Sequence, residues 1–592
     1  MATASFWDKY ATRRISRRRA LQMAAVTGAS AGAIALIGCS DDDDNGGNGT
    51  PGAGNTPGGN GETAVTGGTF RGTVSLVLGK DPHKAATFLT HALASYSYSR
   101  LMRFNTQLGD LPQSEWYTPV FEVASDVEVT DDGLTYIFTL RDDVRFHNLP
   151  PVMGRALNAD DVVYSFNRYR EISPNKANLS MVESVTASDD KRQVTFKLSQ
   201  PFGLFLNRIA SFQDLWIMPQ EFVEQSETAS EDSMLGSGPF IFENFEPGVV
   251  MSWVKNPDYF ESDANGVKYP YMDRIVLDII TNQDQVLSQF ADGNLDTITV
   301  PPQLIDSVRN QNPNAIINQS PRNILSMLIF EPASYLENKP PFNDDRVRRG
   351  MSRALNRDAL LSRISSEGGL WPNMPINAGF GESWWLDPQG PDIGPSGENY
   401  VYDVAEARAL FSAAEVNEFT APMHFSSTTY TTIVPYYDIV REALPAMLGE
   451  AGVTVNLVPE EYGQYIATTF AGQFDGFAWS LESVFSDIAA YWGNMFRPRD
   501  AGGARNHSSV NDADLVSRID AMLQLTDIEE IREANFELQR YTSEKMYYVP
   551  VVTPVEFAAD NPRLKGVVNN SGPTTYALGT EAQMYQWLDP NA

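Results

Sequence analysis

Apolar and polar residues alternate in two short segments of the first half of the chain. One segment runs from Leu134 to Leu140 after an Asp-Asp-Gly turn, and the other runs from Val194 to Leu198 after Ser188-Asp189-Asp190. A period of two predicts a β-strand with one buried face. The apolar run from Ile275 to Ile280 predicts a further strand.

In the second half of the chain the apolar residues recur at the three- and four-residue spacing of a helix. Asp and Asn residues that favour a helix N-terminus precede these segments. The chain is therefore predicted to be an α/β protein of several lobes, with strands concentrated early and helices late. The apolar faces are Val347, Met351 and Leu355 after Asp344 or Asp345; Leu515, Ile519 and Met522 after Asn511 or Asp512; and Ile528, Ile531, Leu538 and Tyr541.

The N-terminus has the pattern of an export signal. A basic stretch from Ser16 to Gln22 precedes an uncharged, Ala- and Gly-rich segment from Met23 to Gly38, which is too short to span a bilayer. Residues 1–38 are therefore predicted to be a signal peptide. The paired Arg17-Arg18 resembles a twin-arginine export signal, although Ala20 stands where phenylalanine is usual. A general secretory route is the alternative.

The only cysteine, Cys39, directly follows this segment. The run Leu36-Ile37-Gly38-Cys39 resembles a bacterial lipobox, which implies that Cys39 carries a lipid and becomes the mature N-terminus. The alternative is a buried, inert cysteine. Residues 40–68 are mostly Asp, Gly, Asn, Pro and Thr, without a hydrophobic period. Residues 39–68 are therefore predicted to be a lipid-anchored flexible linker.

Net charge narrows the range of partners. The formal charge is −31, and because the first 38 residues hold six Lys or Arg and one Asp, residues 39–592 carry −36. No basic cluster occurs outside the N-terminus, so the sequence excludes nucleic acid as a natural partner. An acidic excess fits a cationic ligand, but it more often reflects solubility or habitat.

Motifs for catalysis and metal binding are missing from the sequence. The five histidines form no i, i+4 pair, a single cysteine excludes a Cys-x-x-Cys motif, and no phosphate-binding glycine motif ends in Lys-Ser or Lys-Thr. The G-x-S-x-G match at Gly28–Gly32 lies inside the signal peptide. The sequence therefore predicts no cofactor, no metal and no enzymatic activity. A catalytic pair of carboxylates remains an alternative, because Asp and Glu are abundant and no motif singles out one pair.

Several longer segments, in order along the mature chain, resemble the family 5 extracellular solute-binding proteins, which are the peptide- and nickel-type receptors of ABC importers. Most of the matching residues are strand and helix residues of the scaffold rather than site residues. The segments are Lys80–His83, "DDGLTYIFTLRDDVRFH", "NADDVVYSFNR", "GSGPFIFENFEPG", "WVKNPDYF", "ADGNLDTITV", "PPFNDDRVRRGMSRALNRDALL", "YDVAEARALFSAA", "NHSSVNDADLVSRI" and "YYVPVV".

This resemblance implies a two-lobed, periplasmic-binding-protein-like α/β fold of type II, with an extra subdomain inserted in the N-terminal lobe. Ligand is then buried between lobes that close about a hinge. The implied lobe limits are 69–112, 236–318 and 546–592 for lobe I, 113–235 for the inserted subdomain, and 319–545 for lobe II.

The resemblance also implies a ligand site on the strand in "FDGFAWSLESVF". In peptide-binding members an aspartate three residues after a tryptophan pairs with the α-ammonium of the ligand, and here Glu482 stands at that offset from Trp479. Glu482 is thus predicted to hold a cationic group, the alternative being an exposed glutamate in a loop. Trp479 is predicted either to line the ligand or to lie in the core. Phe477, Ser480 and Phe485 are further candidates.

Three tryptophans in a Pro- and Gly-rich loop, Trp371, Trp384 and Trp385, form either a hydrophobic pocket or a partner surface. The segment Leu149–Asn158 replaces a shorter loop of the family, so a peptide ligand need not keep its usual register.

The function implied by the resemblance is capture of a peptide or similar small solute and its delivery to an ABC permease. The protein is expected outside the cytoplasm, as a monomer anchored to a membrane through the lipid on Cys39. The alternatives are an extracytoplasmic hydrolase on the same scaffold, and a sensor that docks a chemoreceptor. Sugars, opines, nickel and haem remain open as ligands within the family.

Overall fold

The computed structural model describes residues 63–592 except 76, 78, 86, 106–117, 131, 227, 322–323, 366–368, 371–375, 377–379, 381–382, 428–433, 484, 486 and 568–579. The predicted signal peptide, the lipid site at Cys39, most of the linker and Trp371 lie outside the described residues. Among the residues that are described, no helix is both long enough and apolar enough to cross a membrane.

The strands are short, and most belong to four sheets. In chain order they are β1 (Thr69–Val74), β2 (Met102–Phe104), β3 (Pro119–Phe121), β4 (Ala124–Val129), β5 (Thr135–Leu140), β6 (Val182–Ala187), β7 (Gln193–Leu198), β8 (Phe240–Glu246), β9 (Val250–Lys255), β10 (Arg274–Ile279), β11 (Thr297–Val300), β12 (Ile316–Pro321), β13 (Ile324–Phe330), β14 (Gly369–Leu370), β15 (Phe419–Ser426), β16 (Val453–Glu460), β17 (Phe477–Ser483), β18 (Val549–Pro550), β19 (Thr553–Asp560), β20 (Leu564–Lys565) and β21 (Trp587–Leu588).

The longer helices lie in the second half of the chain, apart from one in the first half. In chain order the α-helices are α1 (Phe88–Ala94), α2 (Ala159–Ile172), α3 (Phe205–Ala210), α4 (Gln220–Val223), α5 (Ala229–Asp232), α6 (Gln283–Ala291), α7 (Ile305–Gln311), α8 (Ala333–Leu336), α9 (Asp345–Arg353), α10 (Arg357–Ile364), α11 (Val404–Ala413), α12 (Val434–Glu450), α13 (Tyr462–Ala467), α14 (Ile488–Phe496), α15 (Ala513–Leu523) and α16 (Ile528–Lys545).

The two alternating segments form neighbouring strands of one antiparallel sheet with the order β4-β5-β7-β6. Tyr136, Phe138 and Leu140 point from β5 into the core, and Phe196 of β7 lies beside Tyr136. Helix α2 begins after Asn158, whose side chain accepts a hydrogen bond from the backbone of Asp160. Both predicted strands are confirmed, because the period of two matches the pleat.

A second sheet has the order β1-β10-β9-β8, and its strand β10 confirms the prediction for the run from Ile275. The chain enters β8 through the turn Gly236–Pro239, which packs against the backbone after helix α1. The N–H of Gly238 donates to the carbonyl of Ser97 at 2.9 Å. A Cβ on Gly236 would lie 2.2 Å from the oxygen of Ser97, so only glycine fits there.

The third large sheet has the order β16-β15-β17-β13-β18. Strand β15 runs parallel to both β16 and β17, whereas β13 is antiparallel to β17. The predicted helices are confirmed as α9, α15 and α16. Their caps are Asp344, Asp512 and Asp527, each of which accepts a backbone hydrogen bond from the first turn.

A fourth sheet joins β11 and β12 to β19, which comes from the C-terminal part of the chain, and β14 also pairs with β19. Strand β18 pairs with β13 in the five-stranded sheet, so the chain passes from that sheet to the fourth sheet only after Pro550. The predicted lobe limits stay predictions.

The largest core is continuous across all three parts of the chain that the sequence assigns to lobe I, the inserted subdomain and lobe II. Trp216 and Trp253 belong to it, together with Tyr491 and Trp492 of helix α14. A second core lies between the five-stranded sheet and its helices, and includes Trp479. Helix α14 therefore belongs to the core that the five-stranded sheet shares with the other parts of the chain.

Candidate functional site

Strand β17 lies in the middle of the five-stranded sheet, with both faces covered. It begins after Gly476, which has a φ of +68°, and where a Cβ would lie 2.6 Å from the carbonyl oxygen of Pro422 in β15. The close approach of the two backbones requires glycine. In open α/β sheets, ligands bind beyond the carboxyl ends of the parallel strands. Glu482 is the penultimate residue of β17 and thus lies at such an end.

The predicted site residues on β17 point to opposite faces. Phe477 and Trp479 lie in the second core with exposures of 0% and 2%, and the Trp479 Nε1–H donates to Ser326 Oγ at 3.1 Å. Trp479 therefore lies in the core, and a role in lining the ligand stays a prediction. Ser480 lies on the other face and accepts a hydrogen bond from the Tyr465 hydroxyl at 2.9 Å.

Glu482 lies on the same face as Ser480, and its side chain is fully buried. The alternative of an exposed glutamate in a loop is therefore wrong. Glu482 Oε2 is 2.8 Å from His507 Nε2, and Oε1 is 3.0 Å from Arg505 Nη1. Oε1 nevertheless has no aligned hydrogen-bond donor within the described part of the chain. The carboxyl group thus already lies between two basic side chains of the protein.

The hydrogen bonds of His507 define where one proton lies. His507 Nδ1 is 2.7 Å from the carbonyl oxygen of Phe470, which can only accept, so Nδ1 carries a proton. Its Nε2 then meets Glu482 Oε2 either as a donor to a carboxylate or as an acceptor from a carboxylic acid. Both arrangements place one further proton on the pair, so that His507 and Glu482 together are neutral.

Arg505 is the partly exposed member of this cluster. Its side chain is 24% exposed, and its guanidinium lies over the Phe470 ring at 5.0 Å from the ring centroid. Within the described residues the guanidinium donates no hydrogen bond to the protein, which leaves five N–H donors for water or a ligand. Burial lowers the pKa of nearby Arg499, and the positive charge of Arg505 lowers it further.

The remaining predicted site residues lie in other surroundings. Phe485 is buried against the ring of Tyr491, with ring centroids 5.1 Å apart. The carbonyl of Trp384 accepts hydrogen bonds from Asn535 and Gln539 of helix α16. Trp385 is half-buried, and its indole N–H has no partner among the described residues. A ligand-binding role for these residues stays a prediction.

No motif in the sequence singled out Arg505 or His507 as site residues. Both residues are distant from Glu482 in sequence, but they lie at or just before the matched segment "NHSSVNDADLVSRI". The resemblance of that segment to the family is the sequence signal that could have pointed to both residues. Among the described residues, no group of three or more His, Cys, Asp or Glu side chains is arranged to hold a metal ion.

Solute sites in proteins hold a few convergent polar groups in otherwise apolar surroundings, and the cluster at the end of β17 is a candidate of this kind. The chain matches the family model "Bacterial extracellular solute-binding proteins, family 5 Middle" over residues 118–503, which is more than half of its length. The chain therefore belongs to the family 5 extracellular solute-binding proteins.

Individual relatives agree with this assignment. The "Probable di/tripeptide-binding protein 5" of Pseudomonas aeruginosa is 23% identical over 502 residues, covering 81% of this chain and 88% of the relative.

Two solved structures have the same fold. The oligopeptide-binding protein AppA of Bacillus subtilis, solved in complex with a nonapeptide, has a TM-score of 0.70 at 17% identity, covering 89% of this chain and 100% of the other. MoaA from A. tumefacien R10, solved with mannopinic acid, has a TM-score of 0.69 at 22% identity, covering 89% and 100%. The predicted two-lobed solute-binding fold is thus confirmed.

Proposed function

We propose that this protein is the substrate-binding component of an ABC importer and captures a peptide or similar small solute between its lobes. The observation that carries the proposal is the buried cluster of Glu482, His507 and Arg505 at the carboxyl end of β17. Relatives named for di/tripeptides, and one solved with a nonapeptide, support a peptide as the ligand. The relative solved with mannopinic acid supports a wider range of small solutes.

The protein works outside the cytoplasm in this proposal, as a monomer tethered to a membrane. The basic and apolar pattern of residues 1–38 and the lipobox-like run before Cys39 support export and lipid anchoring. The Gly- and Asn-rich linker of residues 40–68 gives the receptor a reach of roughly 30 Å from its anchor, by the scaling of flexible Gly-rich chains. Its role is binding without catalysis.

A ligand screen on the purified full-length protein tests the proposal. Thermal unfolding is followed in the presence of di- and tripeptides, sugars, opines and metal ions, and hits are measured by calorimetry. A ligand at about one hundred times its Kd stabilises the folded state by about 2.7 kcal/mol, so a true ligand gives a clear shift in Tm. Mass spectrometry of the recovered ligand then tests for hydrolysis, and intact ligand is expected.

A pair of variants connects binding to the cluster. Glu482→Ala removes the partner of both Arg505 and His507 and is expected to change the affinity for the ligand about tenfold or more, in either direction. Glu128→Ala, at an exposed position on β4, serves as the control and is expected to leave the affinity unchanged. Equal affinities for the two variants would place the ligand elsewhere.

A further inference from the structure

The charge of the cluster at the end of β17 is opposite to the charge that an ammonium site needs. His507 and Glu482 together are neutral, because the carbonyl of Phe470 holds one proton on Nδ1 and the contact with Glu482 holds a second between the pair. Arg505 adds one positive charge, since a guanidinium stays protonated in proteins. The three side chains therefore carry a net charge of about +1 by this donor and acceptor count.

A ligand ammonium at this position meets two obstacles. It has to displace the guanidinium of Arg505 from Glu482, and it then lies beside a displaced positive charge. Arg499 Nη1 donates at 3.3 Å to the carbonyl of Asn506, the residue after Arg505, so the neighbourhood holds a second guanidinium. Like charges in a partly desolvated site repel, which disfavours the ammonium.

A carboxylate meets the complementary arrangement. Arg505 is partly exposed, and within the described residues its guanidinium makes no hydrogen bond to the protein. The guanidinium carbon lies 5.0 Å from the centroid of the Phe470 ring, and the fork of N–H donors matches a planar, two-oxygen partner. Glu482 Oε1 lies 3.0 Å from Nη1 of this guanidinium, but the two atoms are not aligned for a hydrogen bond.

We propose that Arg505 receives a carboxylate of the ligand, and that the substrates of this receptor are small solutes with a carboxylate at this position rather than a free ammonium. The inference rests on the proposed function and specifies the chemical class of its ligand. Glu482 then neutralises His507 inside the protein, and does not pair with the ligand. A peptide fits with its C-terminal end at Arg505, and an N-blocked peptide or another organic acid fits equally.

Matched ligands test the proposal on the unmodified full-length protein. Calorimetry compares a tripeptide with free ends, its N-acetylated form and its C-amidated form, alongside N-acyl amino acids and their amides. The expected result is that acetylation changes Kd by less than about threefold, whereas amidation weakens binding about tenfold or more, the loss typical of a charge-assisted hydrogen bond. Binding with the reverse preference overturns the proposal for Arg505 and leaves the proposed receptor function intact. Absence of binding by every compound overturns both.

Variants of Arg505 test whether this residue causes the preference for a carboxylate. Arg505→Gln is expected to reduce the difference between the carboxylate and amide forms to less than about twofold, while Arg505→Lys keeps part of it because the charge is retained without the planar fork. Arg192→Gln, at a side chain that is 53% exposed, is the control and keeps the full difference. An unchanged difference in a folded Arg505→Gln protein contradicts the proposal, with folding checked by Tm.

Discussion

Replacing Arg208 by Met should test how a buried charge holds two distant parts of the chain together. Arg208 lies on helix α3, and its Nη2 donates to Asp487 Oδ1 at 3.1 Å, although the two residues are 279 positions apart. Its Nη1 is 3.6 Å from Asp214 Oδ2. All three side chains are at least 96% buried. Asp487 also caps helix α14, and burial raises its pKa.

The expected loss of stability follows from these distances. At an effective dielectric constant of about 20, each of the two ion pairs contributes an attraction of about 5 kcal/mol. The desolvation of the guanidinium offsets several kcal/mol of that sum. Removing Arg208 leaves two buried carboxylates without their cation, so we expect Arg208→Met to lower the free energy of unfolding by about 3–5 kcal/mol.

Urea unfolding of the purified protein measures this change. Arg192→Met is the control, because Arg192 and Asp142 are 53% and 77% exposed and 3.7 Å apart. A surface pair of this kind contributes about 0–1 kcal/mol. The double variant Arg208→Met/Asp487→Asn should recover part of the loss, since one uncompensated charge is removed with its partner. A loss for Arg208→Met no larger than the control would falsify the reasoning, and would mean that desolvation cancels the ion pairs.

Three further predictions concern packing, acid stability and anchoring. Gly236→Ala should lower the free energy of unfolding in urea by about 1–3 kcal/mol, because the new Cβ meets the Ser97 carbonyl. Gly449→Ala is the control and should not cause this loss, because a Cβ there meets nothing within 4 Å. Burial lowers the pKa of His147 from 6.5 to about 4, so the unfolded chain takes up the proton first as the pH falls. About 3 kcal/mol of the free energy of unfolding should therefore be lost between pH 6.5 and 4. Urea titrations at several pH values should show a smaller loss over this range for His147→Gln. Cys39→Ser should move the protein from the membrane fraction to the soluble fraction after cell fractionation, and persistence in the membrane would contradict the lipid anchor.

The local elements could be predicted because their signals are local. The alternation of Tyr136, Phe138 and Leu140 depends on neighbours two residues apart, and the pleat converts it directly into a buried face. The caps Asp344 and Asp512 were each one of two adjacent candidates, and the structure distinguishes them through backbone hydrogen bonds that sequence alone does not reveal.

The site was less predictable, because its partners come from a different part of the chain. Glu482 was found through its offset from Trp479, but an odd offset places two strand residues on opposite faces. That geometry explains why Trp479 lies in the core while Glu482 meets Arg505 and His507. The contact between His507 and Glu482 joins residues 25 positions apart, and no periodicity in the sequence encodes it.

The two faces of β17 also matter for redesign of the receptor. Phe477 and Trp479 hold the strand to the packed helices behind it, whereas Ser480 and Glu482 belong to the polar side. Under the proposal for Arg505, substitutions there and on the polar side of β17 are the ones expected to alter which solute is recognised, while the apolar anchors on the reverse side keep the strand in place. Because Glu482 is fully buried between Arg505 and His507, its replacement is expected to cost stability, so a mutant library for a biosensor should begin at the partly exposed Arg505.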